Sequence, residues 1–319
     1  MRASLSLDLD NKWSYMKTHG DPAWQTRPSY LPIVVPRVLD LLDRLNARIT
    51  FFIVGEDAAM PENGELLAEL ARRGHEIGNH SHRHEPWMHR HTRSDIDDEL
   101  ARAELSIERA TGKRPRGFRG PGFTRSDAIL EILIARGYLY DCSSLPTFIG
   151  PLARWYYFRN AKLTESARAE REDLFGRWQD GLRPNRRHMI DLSNGSICEI
   201  PVTTFPIVRT PIHVSYVLYL SAISPKLAQL YFRAALAACK LAGIEPSILL
   251  HPLDFLTKRE CPELGFFPAM DMDPEIKEAV VNNSLSALAS AFEVRPLEEF
   301  VAARTQNQAT VTPSIAPAK

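Results

Sequence analysis

The sequence predicts an α/β protein on a mainly parallel sheet, flat or closed into a barrel, and three successive segments carry that expectation. ASLSLDLD alternates apolar and polar residues with period two. SYLPIVVPRVLDLLDRLN repeats apolar residues at helical spacing, and RITFFIVG (48–55) returns to aromatic and β-branched residues. Strand, helix and strand with short connections make the βα unit of a parallel sheet.

The remaining elements follow in order. In the first helix Val35, Val38, Leu39, Leu42 and Leu45 form the apolar stripe, and Pro36 suits a first turn, where its missing N–H has no helical partner to lose. ELLAELARRGHEIGNHS gives a helix, Gly74 as its stop and a short strand. SDIDDELARAELSIERATG gives a capped helix ending at Gly112, and GFRGP opens another strand. The alternation breaks after Leu145. Residues 147–195 are rich in aromatics and arginine without strand periodicity and read as an insertion. SICEIPVT (196–203) and PSILLHPLDF (246–255) resume strand-like runs, YFRAALAACKLAG (231–243) is a long helix between them, and EVRPLEEF starts the closing segment. The organisation expected is a single catalytic domain over residues 1–304 and a tail, 305–319, whose small, polar, proline-containing composition predicts disorder.

Composition removes several function classes. With 39 basic and 39 acidic side chains and a pI near 7.2, no field exists to gather nucleic acid or an anionic membrane. Four cysteines (Cys142, Cys198, Cys239, Cys261) lie far apart without C-x-x-C spacing, so a reducing compartment is the simpler expectation. MRASLSLDLD meets two aspartates too early for a secretory leader, and PIHVSYVLYLSAIS (211–224) is too short and too interrupted to span a bilayer. A cytoplasmic protein with no transmembrane segment is expected.

Six of the ten histidines (His75, His80, His82, His84, His89 and His91) fall within GHEIGNHSHRHEPWMHRH. His80 and His84 are four apart, a spacing that places two imidazoles on one face if the segment begins a helical turn, and that presents two nitrogen ligands to one divalent ion. Asp8 and Asp10 alternate near the end of the first strand, where sites in parallel α/β folds form; one can bind metal while the other stays free as a base. His84-Glu85 is not a zinc-protease helix, because the fifth residue of that window is Met88. His75 is expected to pack, and His82, His89 and His91 to face solvent or the cleft mouth.

These segments resemble the polysaccharide deacetylases with the NodB-homology domain, carbohydrate esterase family 4. H-(S/T)-x-x-H stands as His80-Ser81-His82-Arg83-His84, and R-x-P as Arg119-Gly120-Pro121 in GFRGPGF. The first motif stands as Asp8-Leu9-Asp10, a D-x-D variant of the usual T-F-D-D-G, similar to the branch containing bacterial peptidoglycan deacetylases and allantoinase-like enzymes. The hydrophobic strand ending in histidine stands as Leu249-Leu250-His251, and the weakest match is Tyr140-Asp141-Cys142-Ser143-Ser144. The likeness covers about residues 4–145 and 196–300 and leaves the insertion unmatched.

The resemblance implies a distorted (β/α) barrel and a divalent metal ion, zinc first with cobalt, nickel or manganese as substitutes, held by Asp10, His80 and His84. It implies Asp8 as base, Arg119 holding Asp8 ionised, the Gly122 N–H meeting the oxyanion, and His251 as general acid. The orienting partner of His251 is Asp141 by motif position or Asp254 by nearness in sequence. The expected reaction is removal of an acetyl or formyl group from an amino sugar in a glycan or glycan precursor; apart from the resemblance, the expected lack of a secretory leader points to an intracellular precursor, lipid- or nucleotide-linked. Aromatics of the insertion, Trp155, Tyr156, Tyr157, Phe158 and Trp178, are expected to stack on sugar rings or to make peripheral membrane contact. Two alternatives stand beside it: hydrolysis of a cyclic ureide or imide such as allantoin, and a non-catalytic carbohydrate-binding protein on the same fold. Joint retention of Asp8, Asp10, His80, His84, Arg119 and His251 weighs against the second.

Overall fold

A computed structural model describes residues 1–301 apart from 162 and 175, so the tail 305–319 lies outside the described residues. The strands are β1 (Arg2–Leu9), β2 (Thr50–Ile53), β3 (Glu76–Asn79), β4 (Gly117–Phe118), β5 (Tyr140–Asp141), β6 (His188–Leu192), β7 (Gly195–Glu199), β8 (Ser247–Leu250) and β9 (Glu293–Arg295). They form one sheet in the order β6-β7-β5-β4-β3-β2-β1-β8, with β9 added beside the first residues of β1, and every pairing except β6 with β7 is parallel. The sheet's two sides meet beyond β7, where the Thr203 N–H donates to the Ser247 carbonyl and the Ser247 N–H to Thr203 Oγ1. The result is a distorted barrel.

Period two along β1 sorts its side chains between the barrel's outside and its interior. Ala3, Leu5, Leu7 and Leu9 join a large outer core with Val34, Val35 and Val38 of the helix Leu31–Arg44 and with Ile248 and Leu250 of β8. Ser6 and Asp8, on the other face, meet the side chain of Arg119 inside the barrel. Phe52, Tyr140 and Cys142 belong to a smaller interior cluster.

Helix signals in the sequence resolve into particular caps. Thr92 Oγ1 accepts from the Asp95 N–H to open the helix Arg93–Thr111, and Gly112 closes it in a left-handed conformation. Pro36 is placed differently from the first turn expected of it: Pro32 occupies that turn, and Pro36 sits inside the helix on its exposed side, where water can serve the carbonyl that a proline cannot. The insertion also differs from expectation. It contains the helices Gly150–Asn160 and Glu165–Glu170, but its last part is strand β6, paired antiparallel with β7 through the turn at Ser193-Asn194.

Glu76, at the start of β3, is a buried carboxyl whose pKa burial raises to about 7, although Thr50 Oγ1, the Tyr140 hydroxyl and the Glu298 N–H all donate to it. A carboxyl raised in the folded state leaves stability intact below its unfolded value, and that stability is lost as pH rises toward and through about 7. Every tenfold difference in proton affinity between the folded and unfolded chain is worth about 1.4 kcal/mol, so the loss attributable to Glu76 is about 3 kcal/mol. Asp57 is likewise raised to about 7 by burial and adds a decline of the same sign. Urea denaturation of Glu76→Gln near pH 5 and near pH 8 is therefore expected to show a smaller fall in stability than the parent; an unchanged fall would contradict the account.

Candidate active site

The chain delivers its polar residues to one end of the barrel because they stand at or immediately after the C-terminal ends of parallel strands, where backbone ladders stop and side chains are free to converge. Asp8 and Asp10 close β1, His80 follows β3, Arg119 follows β4 and His251 follows β8.

Asp10, His80 and His84 are all buried, and a donor atom from each lies within 4.8 Å of the others. Asp10 Oδ1 stands 3.0 Å from His80 Nε2 and 2.9 Å from His84 Nε2. Asp10 Oδ1 and His84 Nε2 are nonetheless buried without a hydrogen-bond partner. Close approach without hydrogen-bond direction is what three lone pairs aimed at a common point produce, and a carboxylate with two imidazoles is a donor set that zinc and its neighbours accept. His80 is fixed further: its Nδ1 lies 2.7 Å from the Arg119 carbonyl, which can only accept, so the proton sits on Nδ1 and Nε2 keeps its lone pair. Burial pushes the Asp10 carboxyl up, but the two imidazoles outweigh it and hold it well below the usual carboxylate range.

His80 and His84 do not share a helical face as the spacing suggested. The segment after β3 is a turn in which Ser81 and His84 take positive φ values of 61° and 51°. Asn79 Oδ1 accepts from the Ser81 N–H and Ser81 Oγ from the His84 N–H, which holds the two unusual conformations and brings the rings to 5.1 Å.

Arg119 is fully buried. Its Nη1 reaches Asp8 Oδ1 at 3.3 Å, Nη2 reaches Ser6 Oγ at 3.2 Å, and the guanidinium lies over the Phe52 ring. Two glycines make this turn possible. A Cβ on Gly120 would lie 2.1 Å from the Thr124 carbonyl oxygen, and Gly122 has φ of +57° while lining the cavity above the triad.

His251 faces the triad from β8. Its Nδ1 lies 3.0 Å from Ser215 Oγ, which donates to Asp254 Oδ1 at 2.6 Å, and Asp254 Oδ2 also accepts the His251 N–H. Of the two partners considered from sequence, Asp254 is thus joined to His251 through Ser215. Asp141 is not brought to the site. It is buried near β7, where Oδ1 accepts from Ser143 Oγ and Oδ2 lies 3.9 Å from Arg125, which is equally close to Glu199. The motif position gave the right strand end, but the side chain turns toward its β7 neighbours.

Other residues at the site carry no signal in the sequence. His213 and Ser215 lie in the apolar run 211–224, and only the fold brings them beside His251; His213 is pushed down to about 3 by burial and by the His251 and Arg119 charges. Tyr15 and His19 face the cavity from the helix Lys12–His19. The other four histidines of the histidine-rich run make contacts elsewhere. His75 accepts the Ile49 N–H, His82 packs on Gly55 rather than facing the cleft, His91 approaches Glu85, and His89 meets Thr124 and Asp173. Arg90, between the last two, bonds Glu172 and Asp173 and so ties the insertion to the histidine-rich loop.

The resulting cavity measures about 560 Å³, with the triad, Asp8 and His251 in its wall. Insertion residues Leu152, Trp155 and Tyr156 form one side, whereas Trp178, also expected over the substrate, packs on Phe148 away from it.

Residues 23–140 match the sequence profile of the family described as polysaccharide deacetylase. That match takes in 118 of the chain's 319 residues, and the likeness holds for that segment. A peptidoglycan-N-acetylglucosamine deacetylase of Bacillus cereus is 32% identical over 109 residues, covering 34% of this chain and 48% of the relative. A Helicobacter pylori peptidoglycan deacetylase is 30% identical over 125 residues, covering 39% of this chain and 40% of the relative. The chain thus spans less than half the length of these curated relatives. Over the whole chain, the crystal structure of a Mycobacterium smegmatis protein described as a polysaccharide deacetylase aligns with a TM-score of 0.61 at 18% identity, covering 100% of this chain and 96% of that one. At that identity the likeness speaks for the fold alone, and it extends past residue 140. No helix among the described residues is long and apolar enough to cross a membrane.

Proposed function

We propose that this protein is a metal-dependent hydrolase that removes an N-acyl group, acetyl or formyl, from an amino sugar carried on a larger molecule. The observation that supports the reading most is the convergence of Asp10, His80 and His84 with Asp8 and His251 around one cavity. A divalent ion in that donor set, zinc first, would supply Lewis acidity and lower the pKa of water toward neutrality. Asp8, free of the triad, takes the water's proton at its carboxylate, and the Arg119 guanidinium aims that carboxylate. The Gly122 N–H meets the charge that develops on the amide oxygen. His251 delivers a proton to the departing amine from Nε2, because Nδ1 is engaged by Ser215.

This division of labour makes Ser215 a positioning residue. Ser215→Ala is expected to lower kcat about tenfold to hundredfold, a fraction of what a general acid contributes, with KM little changed, and Ser215→Thr to restore most of the rate. A rise in KM at constant kcat would instead assign Ser215 to substrate binding.

The reading as a whole is tested by incubating the metal-loaded protein with N-acetyl and N-formyl amino sugars, free, nucleotide-linked and lipid-linked, beside allantoin, and measuring released acetate, formate or ring-opened product. Release from a linked amino sugar is the expected result. Turnover of allantoin alone would overturn it.

A further inference from the structure

The walls of the cavity carry information about the substrate that the reacting groups do not. Beyond the triad, Asp8, His19, His213, His251 and the hydroxyl residues Thr18, Thr147 and Ser215, the lining is mostly aromatic and aliphatic, with Ile149, Leu152, Trp155, Leu174, Phe266 and Phe267 among its members. No lysine, arginine, asparagine, glutamine or glutamate lines it among the described residues. The hydroxyls that do line it are mostly committed to protein acceptors. Thr18 Oγ1 donates to the Ser14 carbonyl, Thr147 Oγ1 to Arg209, the Tyr157 hydroxyl to Thr18 and Ser215 Oγ to Asp254. The Tyr156 hydroxyl donates to the Phe266 carbonyl, joining the insertion to the loop on the opposite side of the cavity.

Such a wall is poorly suited to a glycan strand, whose many hydroxyls need partners once water is removed, and to a phosphate, which needs cations. It is suited to burying hydrocarbon. The apolar character continues to the exterior, where Leu152 and Trp155 are 65% and 58% exposed.

Building on the amide-hydrolase reading above, we propose that the cavity accepts an aliphatic chain attached close to the scissile amide, so that the substrates are N-acyl amino sugars carrying a hydrocarbon chain rather than extended glycans or nucleotide-linked sugars. The chain can belong to the aglycone or, widening the acetyl or formyl reading above, to the acyl group itself, and both place the same chemistry against the same wall.

Three substrate series test this on the metal-loaded protein: N-acetylglucosamine as methyl, butyl and octyl glycosides; glucosamine N-acylated with acetyl, butyryl and octanoyl groups; and chitooligosaccharides from the dimer to the tetramer. Burial of each methylene is worth about fourfold, so kcat/KM is expected to rise by about that factor per methylene in the first or second series until the wall is filled, and to stay flat in the third. A rise in the first series places the chain on the aglycone, and a rise in the second places it on the acyl group. Leu152→Asp should lower kcat/KM for the octyl or octanoyl compound at least tenfold, and an unchanged value would remove Leu152 from the proposed apolar wall. Rates that climb with glycan length but not with alkyl length overturn the proposal while leaving the hydrolase reading intact. Binding of the octyl glycoside, followed by Trp155 fluorescence against Trp155→Phe, separates the two ideas: saturable binding with no turnover of any series upholds the apolar site and defeats the hydrolase reading, and absence of binding defeats the apolar site.

Discussion

Replacing His84 by alanine is expected to empty the metal site and to take turnover with it. His84 contributes one of three donor atoms that lie within 4.8 Å of each other, and no other His, Cys, Asp or Glu among the described residues joins that group. Partners that merely orient metal ligands alter affinity by about 10–100-fold, so loss of a ligand itself is expected to exceed about 100-fold. His84 also holds a left-handed backbone conformation, which alanine adopts less readily, and the fold should be checked by circular dichroism beside metal content. Full metal content in a folded His84→Ala protein would remove the ligand assignment and with it the proposed mechanism.

Asp8→Asn is expected to have the opposite signature: metal retained, kcat lowered about 10²–10⁴-fold, the range that a positioned acid or base supplies. The geometry behind this is the division between the two aspartates. Asp10 Oδ1 faces both imidazoles, while Asp8 Oδ1 faces the Arg119 guanidinium across 3.3 Å. Asparagine keeps the size of the side chain and loses the proton acceptor, so metal content and kcat measured on the same preparation decide the matter. Loss of metal from Asp8→Asn would exchange the two roles.

Much of this was legible in the sequence for a physical reason: period two in SLSLDLD states both a strand and which residues share a face, so Asp8 and Asp10 could be read as neighbours before any fold was known. GFRGP reads as the opening of a strand, and the strand is only Gly117–Phe118; the turn that follows rests on a close approach at Gly120 and a positive φ at Gly122. The route by which His80 and His84 meet was not readable, since spacing of four also fits a helix, and the turn that replaces it depends on side-chain acceptors at Asn79 and Ser81. Strand β6 was hidden by the arginine-rich run before it and by half-exposed faces, although Ser193-Asn194-Gly195 between two short runs is a hairpin signal that could have found it. Asp141 misled because motif position specifies a strand end but not the rotamer, and the neighbours that draw its side chain aside, Ser143, Arg125 and Glu199, come from three places in the chain. Ser215 and His213 carried no signal, because their relation to His251 exists only once the helix Val214–Ser221 packs beside β8.

Arg119 serves two masters with two parts of itself. Its carbonyl, a feature every amino acid possesses, sets the tautomer of His80, and its guanidinium, which no other side chain reproduces, sets the charge beside Asp8. On the proposed mechanism, cation retention and proton abstraction therefore make different demands on one position: the first asks only for the backbone path, the second for the guanidinium. On the proposed mechanism, a substitution at position 119 that keeps the backbone path is therefore expected to spare cation retention and to cost proton abstraction.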